Sequence, residues 1–210
     1  SPTASQAQTI NYPTQYGYAC VGRIVEVGQG VGADWVGKVV FSFQPHASHY
    51  VGALDEIIPL PEGVDPKDAV FLANMETAVN LVHDGNPRLG ERVVVLGQGI
   101  VGLLVSSVLA KFPLADLYAV ESIDGRRTLA AQAGVQATFS PQAESEISAL
   151  QEKLELNEVC GGADVVYELT GSPAALNLAV DLCAYSGRIV VGSWYGTKSA
   201  QINLGERFHR

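Results

Sequence analysis

Apolar and polar residues follow two patterns along this chain, and the pattern changes near residue 90. Before that point, apolar runs are short and Gly and Pro recur every few residues, which is typical of a small β-rich module. After it, continuous apolar runs alternate with segments of helical periodicity. We therefore divide the chain into a first domain, residues 1–88, and a second domain, residues 89–210.

The first domain is predicted to hold three extended segments and a linking helix. The extended segments are residues 21–28, 38–43 and 57–61. In the last of them, prolines favour an extended conformation, because each proline moves the preceding residue out of the helical region of φ and ψ. One helix is predicted to follow, with Asp65 as its N-cap and Pro66 at its first position, and to end within residues 83–87.

The second domain is predicted to alternate strands and helices. The strands are residues 93–96, 117–120, 137–139, 165–169 and 188–191, and the helices are residues 100–112, 126–133, 145–156 and 173–185. Residues 93–96 are uniformly apolar, as in a parallel strand buried on both faces. The fold class is therefore α/β, with a doubly wound parallel Rossmann sheet after a partial β-rich domain.

A glycine-rich motif joins the first of these strands to its helix, and it reads Gly97, Gln98, Gly99, Ile100, Val101 and Gly102. In this context each glycine has a physical role. Gly97 makes the tight turn, Gly99 lets the backbone approach a pyrophosphate, and Gly102 lets the helix pack close to the strand. The N–H groups at the helix start face the phosphate charge. The motif therefore predicts a dinucleotide-binding site.

The end of the next strand predicts which dinucleotide binds. Glu121 follows Gly102 by 19 positions, where a carboxylate can accept hydrogen bonds from the adenosine ribose. The same carboxylate would repel a 2′-phosphate, so we expect NAD(H) rather than NADP(H). Ser122 and Arg126 belong to the same predicted site. The Arg126 guanidinium could pair with a 2′-phosphate or hydrogen-bond a ribose oxygen.

Two later turns fall at the same carboxyl edge of the predicted sheet, where open α/β sheets bind ligands. They are Thr170-Gly171 and Gly192-Ser193. We expect their backbones to contact the nicotinamide half of the cofactor. Trp194 and Tyr195 follow directly, and they either line the substrate pocket or simply pack.

Composition narrows the class of protein. The chain has 210 residues, 47% apolar and 17% charged, with a net charge of −9. Its basic residues are scattered, which argues against nucleic-acid binding. We expect no membrane span, because no apolar run approaches ~20 residues, and no signal peptide, because residues 1–8 lack a basic start and an apolar core. Three widely spaced cysteines, Cys20, Cys160 and Cys183, predict reduced, buried thiols in a cytoplasmic protein.

Residues 90–102 and 162–173 resemble the cofactor domain of the medium-chain dehydrogenases/reductases, the zinc alcohol dehydrogenase superfamily. Residues 17–32 look like part of that family's GroES-like catalytic domain. The resemblance implies hydride transfer between nicotinamide C4 and a carbon atom of an alcohol, a carbonyl compound or an activated alkene. It also implies a small-molecule substrate, and a homodimer is compatible with it.

The chain departs from that family at its metal positions. Tyr18 and Ala19 stand where the family has a zinc-ligand histidine and a glutamate, and Ala73 stands at another ligand position. No cysteine lobe follows residue 43. The chain is expected to begin inside the GroES-like domain and to end before the sheet's sixth strand. We therefore expect no metal site, and the chain resembles a zinc-poor branch related to hydroxyethyl-bacteriochlorophyllide dehydrogenases.

Without zinc, another group must polarise or protonate the substrate oxygen. His46 is a candidate proton relay in a cleft-facing loop with His49, and the alternative is a plain surface histidine. Tyr18 could donate a hydrogen bond to a carbonyl or fill the space left by the metal. Glu76 could orient a relay or bind ribose, or be a solvated or capping residue. The leading hypothesis is a zinc-independent NAD(H)-dependent oxidoreductase; the alternative is a dinucleotide-binding module or pseudoenzyme without chemistry.

Overall fold

The structure, a computed structural model, describes residues 13–155 and 161–209. They form two compact units that divide between Ala73 and Asn74. The predicted domain boundary after residue 88 follows the change in sequence pattern rather than the contacts, and it stays a prediction. The expected absence of a signal peptide concerns residues 1–8, which lie outside the described residues.

Within the described part of the first unit, three strands form one antiparallel sheet in the order β1-β2-β3. The strands are β1 (Cys20–Arg23), β2 (Val39–Ser42) and β3 (Ile57–Pro59). Short 3₁₀ helices at Ala33–Trp35 and Leu54–Glu56 interrupt the connections. β1 is shorter than the predicted residues 21–28, because its pairing stops where β2 begins, at Arg23 opposite Val39. Phe41 of β2 is fully buried and anchors this unit.

The helix predicted from Asp65 is two helices, so the prediction of one continuous helix was wrong. They are α1 (Pro66–Ala69) and α2 (Leu72–Gly85). Asp65 does cap α1, since its side chain accepts a hydrogen bond from Lys67 N at 2.8 Å. The Phe71 N–H then donates to Asp68 O at 3.0 Å. This tighter i→i−3 bond closes the first helix before the second begins.

Strands and helices alternate through the second unit, as the sequence predicts. The strands are β4 (Arg92–Leu96), β5 (Asp116–Val120), β6 (Ala137–Phe139), β7 (Ala163–Glu168) and β8 (Cys183–Val191). The helices are α3 (Ile100–Leu109), α4 (Asp124–Gln132), α5 (Glu144–Lys153) and α6 (Ala175–Leu182). A 3₁₀ turn, Glu206–His209, follows near the end of the chain.

In the described part of the second unit, five strands form a parallel sheet in the order β6-β5-β4-β7-β8. The predicted doubly wound sheet is confirmed. From β4 the chain winds outward through β5 and β6, and then crosses back to β7 and β8. The strand order therefore reverses between β4 and β7, and a crevice opens there at the carboxyl ends of the strands.

The sheet is buried on both faces. Val93 and Val95 of β4 pack into one apolar cluster with residues of α2 and α3, whereas Val94 and Leu96 pack into another with residues of α5 and α6. All four are at most 1% exposed. Burying each such side chain stabilises the fold by roughly 1.5–3 kcal/mol, so β4 is the rigid base of the turn that follows it.

The end of α6 differs from its prediction. The helix predicted over residues 173–185 covers Ala175–Leu182, and β8 begins at Cys183 instead of residue 188. The early strand residues pair with β7 across a register shift, with Cys183 opposite Ala163 but Arg188 opposite Val165. Pairing with a buried neighbour overrides local helical periodicity here.

Two of the three thiols are described. Cys20 and Cys183 are free thiols, and each is only partly buried, so the prediction that they are buried was wrong for these two. Cys160 lies outside the described residues. Among the helices of the described residues, none has the length and apolar composition needed to span a membrane.

Candidate functional site

The turn after β4 has the geometry that its glycines predict. Gly97 has φ +90°, and a Cβ placed there would lie 2.7 Å from Leu169 O. A Cβ on Gly102 would collide with Gly97 O, so the helix needs glycine to pack this closely on the turn. At Gly99 no described heavy atom lies within 4 Å of the corresponding position. Backbone atoms of the protein therefore pack tightly against Gly97 and Gly102, whereas the space beside Gly99 is open.

The first turn of α3 presents N–H donors that have no partner within the helix, next to this opening. Leu103 N–H donates the helix's first hydrogen bond to Gly99 O, at 2.9 Å. The N–H groups of Ile100, Val101 and Gly102 therefore precede the intrahelical bonds. Such N–H groups, with the positive end of the helix dipole, attract an anion.

The Gln98 side chain turns away from this opening and into the core. It is fully buried, and its Oε1 accepts a hydrogen bond from Ser106 Oγ at 3.1 Å. Its Nε2 has no hydrogen-bond partner within the described part of the chain. Gln98 is not among the residues that line the cavity described below, so its predicted contact with the cofactor stays a prediction.

Glu121 lies at the end of β5, where the sequence predicts it, and its side chain is only 5% exposed. Oε2 accepts a hydrogen bond from Gln98 N at 2.7 Å, while Oε1 accepts from Ile123 N at 2.9 Å and from Ser122 Oγ at 3.1 Å. Arg126 Nη1 lies 3.8 Å from Oε2. The carboxylate thus joins the glycine turn to the start of α4.

These contacts set the protonation state of Glu121. Burial alone would raise its pKa, but the N–H groups of Ile123 and Gln98, the Ser122 hydroxyl and the Arg126 charge outweigh burial and hold the pKa below its usual value of 4.5. Glu121 is therefore ionised near neutral pH. A group that binds beside Glu121 therefore meets the negative charge of its carboxylate.

A cavity of about 600 Å³ opens at the carboxyl ends of β4, β5 and β7. Gly97 and Gly99 form its floor, and Glu121, Ser122 and Arg126 line the side that follows β5. Leu169, Thr170 and Ser172 line the side that follows β7, and apolar residues of α6 complete it. Its size, charge and open glycine turn fit a dinucleotide, for which these residues could provide the binding surface.

The two turns predicted at the carboxyl edge of the sheet, Thr170-Gly171 and Gly192-Ser193, lie next to one another. Gly171 N–H donates to Ser193 Oγ at 2.8 Å, and Gly192 N–H donates to Glu168 O at 3.0 Å. Of these turn residues, Thr170 lines the cavity. Gly171, Gly192 and Ser193 form the layer behind it.

Sequence reasoning missed the group that holds this layer, the Glu168 carboxylate. Glu168 ends β7 and is fully buried. Its Oε1 accepts hydrogen bonds from Thr170 N at 2.8 Å and from the Thr170 hydroxyl, and its Oε2 accepts one from the Tyr195 hydroxyl. A charged residue ending an apolar run was the available signal, but its partner Tyr195 is 27 positions away.

The three predicted catalytic residues fall in different units. Tyr18 and His46 lie in the first unit, where Tyr18 is 57% exposed and the exposed His46 donates its backbone N–H to Tyr16 O at 2.8 Å. The imidazole lies over Gly17, where any Cβ would collide with the ring. Glu76 is an exposed residue of α2 in the second unit. Their catalytic roles stay predictions.

The described residues provide no ready metal centre. Across residues 13–155 and 161–209, no three or more His, Cys, Asp or Glu side chains are grouped to hold a metal ion. Tyr18 and Ala73 stand at the positions where the resemblance expects ligands. Zinc prefers thiolate, imidazole or carboxylate ligands, so neither residue suits it.

Comparison with known proteins gives the family. The model of the family described as zinc-binding dehydrogenase matches residues 101–209, just over half of the chain. D-xylulose reductase A of Aspergillus oryzae is 29% identical over 146 residues, which is 70% of this chain and 41% of that protein. L-threonine 3-dehydrogenase of Caldanaerobacter subterraneus is 27% identical over 212 residues, 87% of this chain and 60% of that protein. The chain thus spans about two fifths to three fifths of these relatives.

Solved structures share the fold. A protein of Sinorhizobium meliloti 1021, described as a zinc-binding dehydrogenase and bound to NADP, superposes with a TM-score of 0.74 at 20% identity, covering 92% of this chain and 65% of that one. A short chain alcohol dehydrogenase of Escherichia coli CFT073, complexed with NADH, has a TM-score of 0.69 at 20% identity, covering 87% and 61%. Together with the matched family model and the doubly wound sheet, this shows that the chain belongs to the zinc-binding dehydrogenase family.

Proposed function

We propose that this chain is the cofactor-binding part of an NAD(H)-dependent oxidoreductase that moves a hydride to or from an alcohol, a carbonyl compound or an activated alkene. The observation that carries the proposal is the cavity at the strand switch point, with the open glycine turn on its floor and ionised Glu121 on its wall. The relatives' names, a D-xylulose reductase and an L-threonine 3-dehydrogenase, are consistent with an alcohol and carbonyl pair.

Each part of the site has a role in this proposal. The N–H groups of Ile100, Val101 and Gly102 hold the pyrophosphate, and Glu121, Ser122 and Arg126 hold the adenosine ribose. The edge turns at Thr170-Gly171 and Gly192-Ser193 position the nicotinamide half. The bound cofactor would supply the hydride chemistry, while the protein orients it and excludes water.

NAD(H) is the proposed cofactor because the Glu121 charge is held in place. A ribose hydroxyl can donate to this carboxylate, whereas a 2′-phosphate would meet a like charge. Arg126 supports the same preference, since its guanidinium already lies 3.8 Å from Glu121 Oε2. An arginine that is engaged with a carboxylate is a weaker partner for a phosphate.

We further propose that the enzyme works without catalytic zinc, in the zinc-poor branch related to hydroxyethyl-bacteriochlorophyllide dehydrogenases. Tyr18 and Ala73 support this, because neither offers zinc a preferred ligand. His46, Tyr18 and Glu76 are then the candidate groups for handling the substrate proton. The substrate is a small molecule.

The experiment is transfer of deuterium from C4-labelled NADH to a panel of carbonyl compounds and enones, read by mass spectrometry. Label in any product supports the proposal, and replacing His46, Tyr18 or Glu76 then assigns the proton donor. Tight NADH binding without label transfer on any acceptor would instead favour a dinucleotide-binding module or pseudoenzyme.

A further inference from the structure

The turn that follows β6, residues 140–142, borders the cavity, and we call it the β6 turn. Pro141 and Gln142 line the cavity. β5 and β6 are parallel neighbours, and Glu121, the first residue after β5, donates its N–H to the carbonyl of Phe139, the last residue of β6, at 2.9 Å. The β6 turn therefore starts beside Glu121, on the side of the cavity that is farther from β7.

The order of the strand ends indicates which half of a dinucleotide would meet the β6 turn. The sheet has the order β6-β5-β4-β7-β8. In the proposed function, the glycine turn after β4 holds the pyrophosphate, and Glu121 after β5 holds the adenosine ribose. A dinucleotide that runs from β4 to β5 in this way carries its adenine onward to the end of β6. The β6 turn thus belongs with the adenosine half.

A carboxylate of α5 holds the backbone of the β6 turn. Glu146 Oε2 accepts a hydrogen bond from Ser140 N at 2.7 Å, and Ser140 Oγ accepts one from Gln142 N at 3.3 Å. Pro141 has no N–H group. Both N–H groups of the turn are therefore bound, one by Glu146 and the other by the Ser140 hydroxyl.

The hydrogen bond from Ser140 to Glu146 matters more than an ordinary surface contact. Its acceptor is a carboxylate, and hydrogen bonds with an ionised partner are roughly twice as strong as neutral ones. Its donor belongs to a residue that is only 7% exposed. A buried N–H that loses its acceptor destabilises the conformation that buries it. Without the Glu146 carboxylate, the start of the β6 turn is no longer fixed.

We propose that Glu146 is a positioning residue, which fixes the β6 turn and thereby sets the affinity of the site for the adenosine half of the dinucleotide. The inference rests on the proposed function, because it presupposes that a dinucleotide occupies the cavity with its ribose at Glu121. Glu146 itself does not line the cavity. It acts through the turn that it holds and touches no reacting atom.

The test compares Glu146→Ala with Glu144→Ala, a matched control. Both residues are in the first turn of α5, so both variants lose one negative charge there, but Glu144 is exposed and Glu146 holds the β6 turn. AMP and NADH are titrated by calorimetry, because AMP carries the adenosine half without the nicotinamide. We expect Glu146→Ala to weaken both ligands about fivefold, equivalent to ~1 kcal/mol. Glu144→Ala should change neither by more than about twofold.

Glu146→Gln separates the hydrogen bond from the charge. Glutamine keeps an acceptor oxygen for Ser140 N but carries no charge, so AMP affinity should return to within about twofold of wild type. Loss of the charge alone cannot explain a weaker affinity, since removing a carboxylate near an anionic nucleotide would strengthen binding. Equal losses of AMP affinity in Glu146→Gln and Glu146→Ala would contradict the inference.

Two further outcomes would also overturn it. Unchanged AMP affinity in Glu146→Ala would show that the carboxylate only stabilises the fold, and a loss for NADH without one for AMP would place its effect on the other half. If Glu146→Ala does not fold, Ser140→Ala removes the acceptor for Gln142 N instead, and the same loss of AMP affinity is expected. Wild-type protein that binds neither NADH nor NADPH would overturn the proposed function itself, whereas wild-type binding with unaffected variants would overturn this inference alone.

Discussion

Glu121 combines two tasks in one side chain, and this makes it the residue most informative about cofactor choice. Its carboxylate holds the Gln98 N–H of the glycine turn and presents a fixed negative charge to the cavity. A charge-assisted hydrogen bond to a ribose hydroxyl contributes about 1.5–3 kcal/mol. NADH should therefore bind at least about ten times more tightly than NADPH, since tenfold corresponds to ~1.4 kcal/mol.

Glu121→Ser should narrow that gap, because it removes the repulsion and frees Arg126 for a 2′-phosphate. Glu121→Gln is the control, since it removes the charge but keeps an acceptor for the glycine turn. Fluorescence titration of NADH and NADPH against wild type, Glu121→Ser and Glu121→Gln gives the ratio of the two affinities for each protein. If wild type binds NADPH as tightly as NADH, Arg126 outweighs Glu121 and the NAD(H) proposal is wrong.

The same residue predicts a dependence of stability on pH. The pKa of Glu121 in the folded chain lies below 4.5, so its ionised form stabilises the fold at pH values above 4.5. That contribution is lost as the pH falls through the folded-state pKa. In thermal melts, Glu121→Gln should have a lower Tm than wild type at pH 7, and the two Tm values should converge below pH 4.5. A Tm difference that does not change between pH 7 and pH 3 would contradict this assignment.

Sequence reasoning reached Glu121 but not Glu168, and the difference lies in the range of their contacts. Glu121 was predictable because a local unit, one strand, one glycine turn and one helix, fixes its spacing from Gly102. Glu168 is bound by Tyr195, which lies 27 positions later in the chain, beyond α6 and β8. A pairing of this kind is a property of the tertiary structure, and the local pattern carries no sign of it.

At the scale of elements, the turn between β4 and α3 offers a pair of substitutions that separates folding from binding. Gly99 has φ −70° and ψ −169°, which any residue can adopt, and its surroundings are open. Gly99→Ala should therefore leave the Tm near that of wild type. Its methyl group would stand where a pyrophosphate approaches the backbone, so NADH affinity should fall at least about tenfold.

Gly102→Ala is the contrasting variant. Its Cβ would collide with Gly97 O, and overpacking of this kind costs about 1–3 kcal/mol of unfolding free energy. The better helix propensity of alanine returns only about 1 kcal/mol. Circular-dichroism melts should show a lower Tm than wild type for Gly102→Ala, and a Tm near that of wild type for Gly99→Ala. Full NADH affinity in Gly99→Ala would mean that the phosphates do not bind at this turn.

The elements themselves were largely predictable, and the errors occur where a neighbour decides the structure. Apolar runs placed most of the parallel strands to within a few residues, because a strand buried on both faces is a near-continuous apolar run. The break between α1 and α2 and the early start of β8 were missed. The first depends on a tight i→i−3 bond at Phe71, and the second on pairing with β7. Helical periodicity continues through both points.

At the scale of the whole molecule, the position of the site follows from topology. The reversal of strand order between β4 and β7 opens the crevice, and the chain places its glycine turn, Glu121 and Thr170 at the carboxyl ends that border it. The sequence predicts this convergence once the strands are assigned. The sequence does not predict how His46 and Tyr18 would contribute to the proposed reaction, because both residues belong to the other compact unit.

The remaining prediction concerns metal content, and it tests the chain as a whole. Catalytic zinc sites use three protein ligands drawn from cysteine, histidine and carboxylate side chains. Tyr18 and Ala73 offer none of these at the positions where the resemblance expects them, and His46 with His49 supplies at most two. Protein purified without chelators should therefore contain well under one zinc per chain by elemental analysis, and added EDTA should leave its NADH affinity and Tm unchanged. Near-stoichiometric zinc that is lost in His46→Ala or His49→Ala would show that the histidine loop is a metal site. The candidate proton relay would then be a ligand set, and the polarising group of the proposed reaction would be the metal instead of a side chain.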